Sequence, residues 1–99
     1  MNDNKLHSHP KDLHGMTSLS LLALPPQQTA TVLHLTAPVD MHIEPNLLVR
    51  LGELGFLPGE QITVLRRGPG GREPIAVQIG DTIFALRTLE ASCIAVELQ

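Results

Sequence analysis

Between residues 52 and 80, glycine and proline recur so densely that no uninterrupted stretch exceeds eight residues: Gly52, Gly55, Pro58-Gly59, Gly68-Pro69-Gly70-Gly71, Pro74 and Gly80. Both residue types resist the interior of a helix, glycine through backbone entropy and proline through its missing N–H. What stands between them repeats every second residue. Ile62 alternates with Val64, and Ile75, Val77 and Ile79 keep a strict period of two. Ile83, Ala85 and Arg87 alternate with Thr82, Phe84 and Leu86, and Ile94, Val96 and Leu98 close the series. That is the period of short strands. Leu57-Pro58-Gly59 suits a type II turn, whose third position needs a positive φ.

Upstream, Thr29–Leu35 reads as a first strand, ended by Ala37-Pro38. Before it, residues 17–24 form a short apolar segment of about one helical turn, stopped by Pro25-Pro26. One helix is predicted over residues 45–54. Pro45 suits the first helical position. Leu47, Leu48, Leu51 and Leu54 fall on one face, and Gly55 serves as a left-handed cap. Gly52 inside this helix is a local cost that close approach of another element would explain. Thr88–Ser92 has room for a single 3₁₀ turn. The predicted fold is therefore mostly β: a small antiparallel barrel of about five strands, with one main α-helix inserted after the first strand.

Residues 1–15 are polar and His-rich, with no repeating apolar face. They read as an extension, and residues 16–99 as the single domain.

Composition excludes several function classes. Two Phe and no Tyr or Trp leave no aromatic groove for proline-rich ligands and no platform for base stacking. A formal charge of −3 argues against a nucleic-acid partner. Gly68-Pro69-Gly70-Gly71 lacks the Lys and Ser/Thr of a phosphate loop and reads as a hairpin connection. The single cysteine, Cys93, lies in an apolar stretch and reads as a small core residue; one cysteine also forbids an internal disulfide. No apolar run is long enough to span a membrane, and Leu19–Leu24 is too short for a secretory core. These features predict a cytoplasmic protein that is not inserted in a membrane. No catalytic constellation is visible, so no enzyme is expected.

The segment Arg50-Leu51-Gly52-Glu53-Leu54-Gly55-Phe56-Leu57-Pro58-Gly59, the strand with Ile62 and Val64, Pro69, Pro74-Ile75 and Ala85-Leu86-Arg87 together resemble the FeoA family of ferrous iron transport proteins. Leu19-Ser20 and Leu22 resemble its opening segment, although Pro25-Pro26-Gln27 replaces the family's Pro-Gly turn. The resemblance implies an SH3-like barrel. It also implies a cytosolic accessory protein that regulates FeoB, the membrane ferrous iron transporter with a G-protein domain, by binding it. The related repressors that end in this fold carry a DNA-reading helix pair, which does not precede it here.

Two sets of candidate site residues follow. The helical stripe Leu47, Leu48, Leu51 and Leu54, extended by Phe56, offers an apolar surface to a partner, with Arg50 and Arg87 for its acidic groups. The same stripe also serves as core, Leu51 and Leu54 foremost. The second set would hold a transition metal, Fe2+ or Zn2+. His7 and His9 share a face in an extended chain, as do Asp40, His42 and Glu44. Each group alone supplies too few ligands for a closed site, so two segments or two subunits would have to meet. The alternative function is thus a metal carrier or sensor that can bridge a homodimer. No cofactor is otherwise required.

Overall fold

The computed structural model describes residues 18–39 and 41–99. Six antiparallel strands form one sheet in the order β1-β6-β2-β3-β4-β5. They are β1 (Ser18–Ser20), β2 (Thr29–Leu35), β3 (Gln61–Gly68), β4 (Arg72–Ile79), β5 (Thr82–Leu86) and β6 (Ile94–Leu98). Helix α1 (Pro45–Leu54) follows β2, and a short helix α2 (Thr88–Ser92) joins β5 to β6.

The mostly-β prediction with one main helix holds, with two differences, and the structure settles which face of β5 turns inward. Ser18–Ser20 adds a sixth strand along β6, and only Leu21–Ala23 beyond it forms the expected helical turn, of 3₁₀ type. The β6 edge offers Ser20 a ladder that local propensity does not reveal. Thr88–Ser92 is a turn of α-helix rather than 3₁₀; its start is held by a carboxylate brought from β4. In β5 it is Phe84 that lies opposite the buried Val77 and Leu86 opposite the buried Ile75, which leaves Ile83 facing outward.

α1 begins and ends where its sequence dictates. Pro45 occupies the first turn, and Gly55 takes φ 117° as the cap. The Phe56 N–H reaches back to the Leu51 carbonyl at 3.1 Å, a Schellman-type closure that turns the chain sharply. That turn drops Phe56 into the core with no exposure, against Phe84 at 5.0 Å between ring centres. The next turn is hydrogen-bonded from Glu60 N–H to Leu57 C=O at 3.1 Å, with Gly59 at φ 93°, as a type II turn requires.

The core is aliphatic. Leu21, Leu24, Val32, Leu51, Ile62, Val64, Ile75, Val77, Ile94 and Val96 are all at most 1% exposed and pack around Phe56. At about 25 cal/mol per Å² of apolar surface removed from water, such side chains each contribute roughly 1.5–3 kcal/mol. α2 packs both against β4 and against the 3₁₀ turn after β1, so it joins the two ends of the sheet across the core.

Among the described residues, two of the sheet's three register shifts reorient side chains. In β3, Val64 pairs with Val77 but Arg66 pairs with Ala76 and Arg67 with Ile75. The extra residue is a bulge, which moves every later side chain to the other face. The alternation Ile62, Val64, Arg66 therefore breaks: Arg66 is exposed, and Arg67 turns toward the core edge, half-buried. There its Nη2 donates to the carbonyls of Leu22 (2.7 Å) and Leu24 (2.9 Å). Gln27 secures the bulge. Its N–H donates to Val64 C=O (2.6 Å) and its Nε2 to the carbonyl of Leu65 (2.7 Å). A second shift in β2, between Val32 and His34, sets His34 opposite Ala95 and Leu35 opposite the buried Ile94.

Candidate functional site between the two helices

Helix α2 is short and needs external support. The backbone N–H of Arg87 donates to Glu90 Oε1 at 2.8 Å, and that of Thr88 donates to Glu73 Oε2 at 2.7 Å. These bonds occupy donors that a helix start leaves open. Glu73 belongs to β4, so α2 is tied to the β3–β4 hairpin. The Thr88 N–H is the main reason the Glu73 carboxyl sits below its ordinary pKa; the Thr88 side chain adds to this, desolvation opposes it, and the Arg87 charge contributes least.

With α2 held in this way, a hollow of about 370 Å³ opens between it and the start of α1, lined by His42, Glu44, Leu47, Arg50, Arg87 and Leu89 among others. Its apolar lining is Leu47, 9% exposed, and Leu89, 41% exposed. Arg50 and Arg87 share that lining with Glu44 and Glu90. Arginine in this setting can grip a carboxylate through paired hydrogen bonds while the leucines take an aliphatic side chain. Another groove, of about 600 Å³, lies over β3–β5 and includes Arg66, Ala76, Ile83 and Ala85.

The helical stripe divides. Leu51 and Phe56 are 1% and 0% exposed, and Leu47 is 9% exposed. Leu48 is half-buried and packs against the core. Leu54, expected in the core, is 47% exposed instead. At 100° per residue it falls on the edge of the stripe, on the side of Leu47 away from Leu48. Leu57 and Val49 are also exposed, at 48% and 59%. Arg50 and Arg87 are both exposed. The methylenes missing from Gly52 leave no tight fit: a Cβ there would lie 3.8 Å from Leu35 and 4.0 Å from Leu57, ordinary contact.

Of the candidate metal ligands, His42 and Glu44 border the hollow. His7, His9 and Asp40 lie outside the described residues. Among the described residues no three His, Cys, Asp or Glu side chains converge, and two donors do not close a zinc or iron site. Cys93 is fully buried, and its thiol pKa is raised, chiefly by that burial. Reactivity follows the thiolate, so Cys93 is not placed to act as a nucleophile. No helix among the described residues is long and apolar enough to cross a membrane. Leu89 and Asn46 line the hollow without having been singled out in sequence; only the apolar Leu89 following Arg87 was a signal for it.

Comparisons with known proteins bear on the family and the fold. The FeoA domain family model matches residues 19–98. FeoA of Stenotrophomonas maltophilia, solved in complex with zinc and described as a prokaryotic SH3 domain protein and candidate ferrous iron transport activating factor, is 39% identical. The alignment covers 80% of this chain and 89% of that one, with a TM-score of 0.69. FeoA of Chlorobium tepidum is 30% identical over 81% of this chain and 70% of its own, with a TM-score of 0.68. A manganese-dependent transcriptional repressor shares the fold alone, at 22% identity over 83% of this chain and 42% of its own, TM-score 0.67. No curated protein sequence matches significantly. With a family match across nearly the whole domain and a relative at 39% identity on the same SH3-like sheet, the chain belongs to the FeoA family.

Proposed function

We propose that this protein is a cytoplasmic, non-catalytic accessory factor of ferrous iron uptake that works by binding the FeoB transporter, at its G-protein domain or its membrane core. The hollow between α1 and α2 is the docking surface in this reading. Leu47 and Leu89 receive an aliphatic side chain, and Arg50 and Arg87 receive acidic groups beside it. Leu54, exposed at the far end of α1 and outside the hollow's lining, offers a further apolar contact, while Leu48, Leu51 and Phe56 act from beneath by holding α1 in place.

The observation that carries the proposal is the coincidence of family membership with a hollow lined by two arginines and two leucines. The Stenotrophomonas relative's description as a transport activating factor supports the same role. The formal charge of −3 supports a protein partner over a nucleic acid.

The test is capture of full-length FeoB, and separately of its G-protein domain, on the immobilised protein, with GTP hydrolysis as a second readout. Binding by the wild type and its loss in Arg50→Glu and Leu89→Glu are expected, since arginine is enriched among the residues that dominate interface energy and a carboxylate at Leu89 would be buried unpaired against an apolar contact. A wild-type protein that neither binds FeoB nor alters GTP hydrolysis or iron uptake refutes the proposal.

A second reading, metal carriage or sensing, is favoured by one pair of facts: His42 and Glu44 border the same hollow, and zinc accompanies the Stenotrophomonas relative. Further ligands would have to come from residues 1–17, from Asp40 or from a second subunit. Calorimetry with Fe2+ and Zn2+ on the wild type and His42→Ala decides it: equal weak heats from both dismiss this reading.

A further inference from the structure

Among the described residues the sheet ends at β5, and no pairing joins that strand to anything but β4. Among the described residues, the backbone groups of Thr82–Leu86 that point away from β4 meet no other main-chain partner. Soluble proteins ordinarily blunt such an edge with lysine, proline or an inward charge. The segment Thr82-Ile83-Phe84-Ala85-Leu86 contains none of these. Ile83, moreover, is 62% exposed on the outer face.

We infer that β5 is a self-pairing edge, through which two copies of this chain join antiparallel about Phe84 into one continuous sheet. The sequence of the edge reads complementarily to itself in that register. Phe84 meets Phe84, Thr82 meets Leu86, and Ile83 meets Ala85 of the second copy. Just beyond the strand ends, Asp81 in the β4–β5 turn and Arg87 at the start of α2 come near the opposite charge of the second copy, and the two-fold axis repeats that approach at the other end. Aromatic pairs and opposite charges across an antiparallel ladder both stabilise it. Asp81 and Arg87 are both exposed and available for it.

The outer face supports the same register. Ala85 lies beside Ala76, and Ala76 beside Arg66, in one cross-strand row. The two alanines leave a dip in the groove over β3–β5. In the paired arrangement Ile83 of the second copy continues this row and fills the dip. The interface is isologous, so it closes on itself as a dimer and does not propagate. It lies on the sheet edge and shares Arg87 with the hollow between α1 and α2, but its test uses no transporter and no metal, so its failure is distinguishable from failure of the function proposed above.

Sedimentation equilibrium of the full chain up to about 1 mM, a range that captures weak association, tests the inference. Wild type is expected to dimerise. Asp81→Arg sets like charges near Arg87 at both ends and weakens the dimer by roughly tenfold to hundredfold. Adding Arg87→Asp to Asp81→Arg restores the attraction in reverse and returns the dimer. Ile83→Lys, on the exposed face and harmless to the fold, abolishes dimerisation at all concentrations. A wild type that stays monomeric throughout, a dimer indifferent to Asp81→Arg, or a charge-swapped double variant that fails to recover while melting like wild type overturns the inference.

Discussion

The same chemical change, glycine to alanine, should move stability in opposite directions at two positions of this protein. Gly68 ends β3 with φ −70° and ψ −176°, a conformation open to any residue. What forbids a side chain is contact. A Cβ at Gly68 would lie 2.2 Å from the Glu73 carbonyl oxygen, 2.7 Å from its carbon and 3.0 Å from Pro74 Cδ. Relaxed contacts between heavy atoms begin near about 3.5 Å, so the strands must part by roughly an ångström. The atoms in the way are backbone and cannot rotate aside. Parting them disturbs the Gly68–Arg72 pairing and displaces Glu73, whose carboxylate holds Thr88 of α2. Overpacking of this kind costs about 2–3 kcal/mol, the upper part of its usual range. Gly52, by contrast, sits in α1, where a methyl group would make ordinary contacts with Leu35 and Leu57. Alanine there gains about 0.5–1 kcal/mol from helix propensity alone. For a domain of this size 1 kcal/mol moves the melting temperature by roughly 4–8 °C. Gly68→Ala should therefore melt about 10–20 °C below wild type, and Gly52→Ala about 2–8 °C above it. Urea titrations with unchanged slopes would assign both shifts to stability rather than to altered compactness. A Gly68→Ala variant within about 2 °C of wild type, or two shifts of the same sign, refutes the reasoning.

Arg67→Met should destabilise by about 2 kcal/mol in urea titration, because it strands the half-buried carbonyls of Leu22 and Leu24 without their charged donor; Arg66→Met, on the exposed face, should change little. The Glu73 carboxyl has a lowered folded-state pKa, so its contribution is present above the ordinary carboxylate value and is lost as pH falls through the lowered one. Thermal melts from pH 6 down to about pH 3 should decline less steeply in Glu73→Gln than in wild type, and parallel curves would contradict this. Cys93 should resist a thiol reagent such as dithionitrobenzoate in the native state and react promptly once urea unfolds the protein, because burial both shields the sulfur and suppresses its thiolate; rapid native labelling would count against the packing of β6 and α2 around it.

Local chemistry was enough for some of this molecule. α1 could be read between Pro45 and Gly55 because its start, its stop and its apolar spacing are all encoded within ten consecutive residues. The strand over Ile75, Val77 and Ile79 announces itself by its period, and Leu57-Pro58-Gly59 by the torsion its glycine must adopt. The family motif likewise lies in continuous stretches of chain. Long-range pairing decided the rest. The bulge at Leu65 depends on Gln27 and β4, and it leaves Arg66 exposed and turns Arg67 to the core edge. Strand β1, Ser18–Ser20, exists only because β6 offers it an edge. The exposure of Leu54 depends on how α1 rolls against the sheet, which spacing alone leaves open by a fraction of a turn.

The candidate site belongs to this second kind. Residues 42–50 and 87–90 are far apart in the chain, and nothing in either segment says that they meet. They meet because a Glu73 carboxylate from β4 holds the start of α2 beside the start of α1. The sequence alone determined the helix, the alternating strands, the turns and the family, since each rests on interactions between near neighbours. Only the tertiary structure decided which arginines face solvent, which leucines are covered and where the hollow opens, because those depend on contacts between residues that the chain order keeps apart.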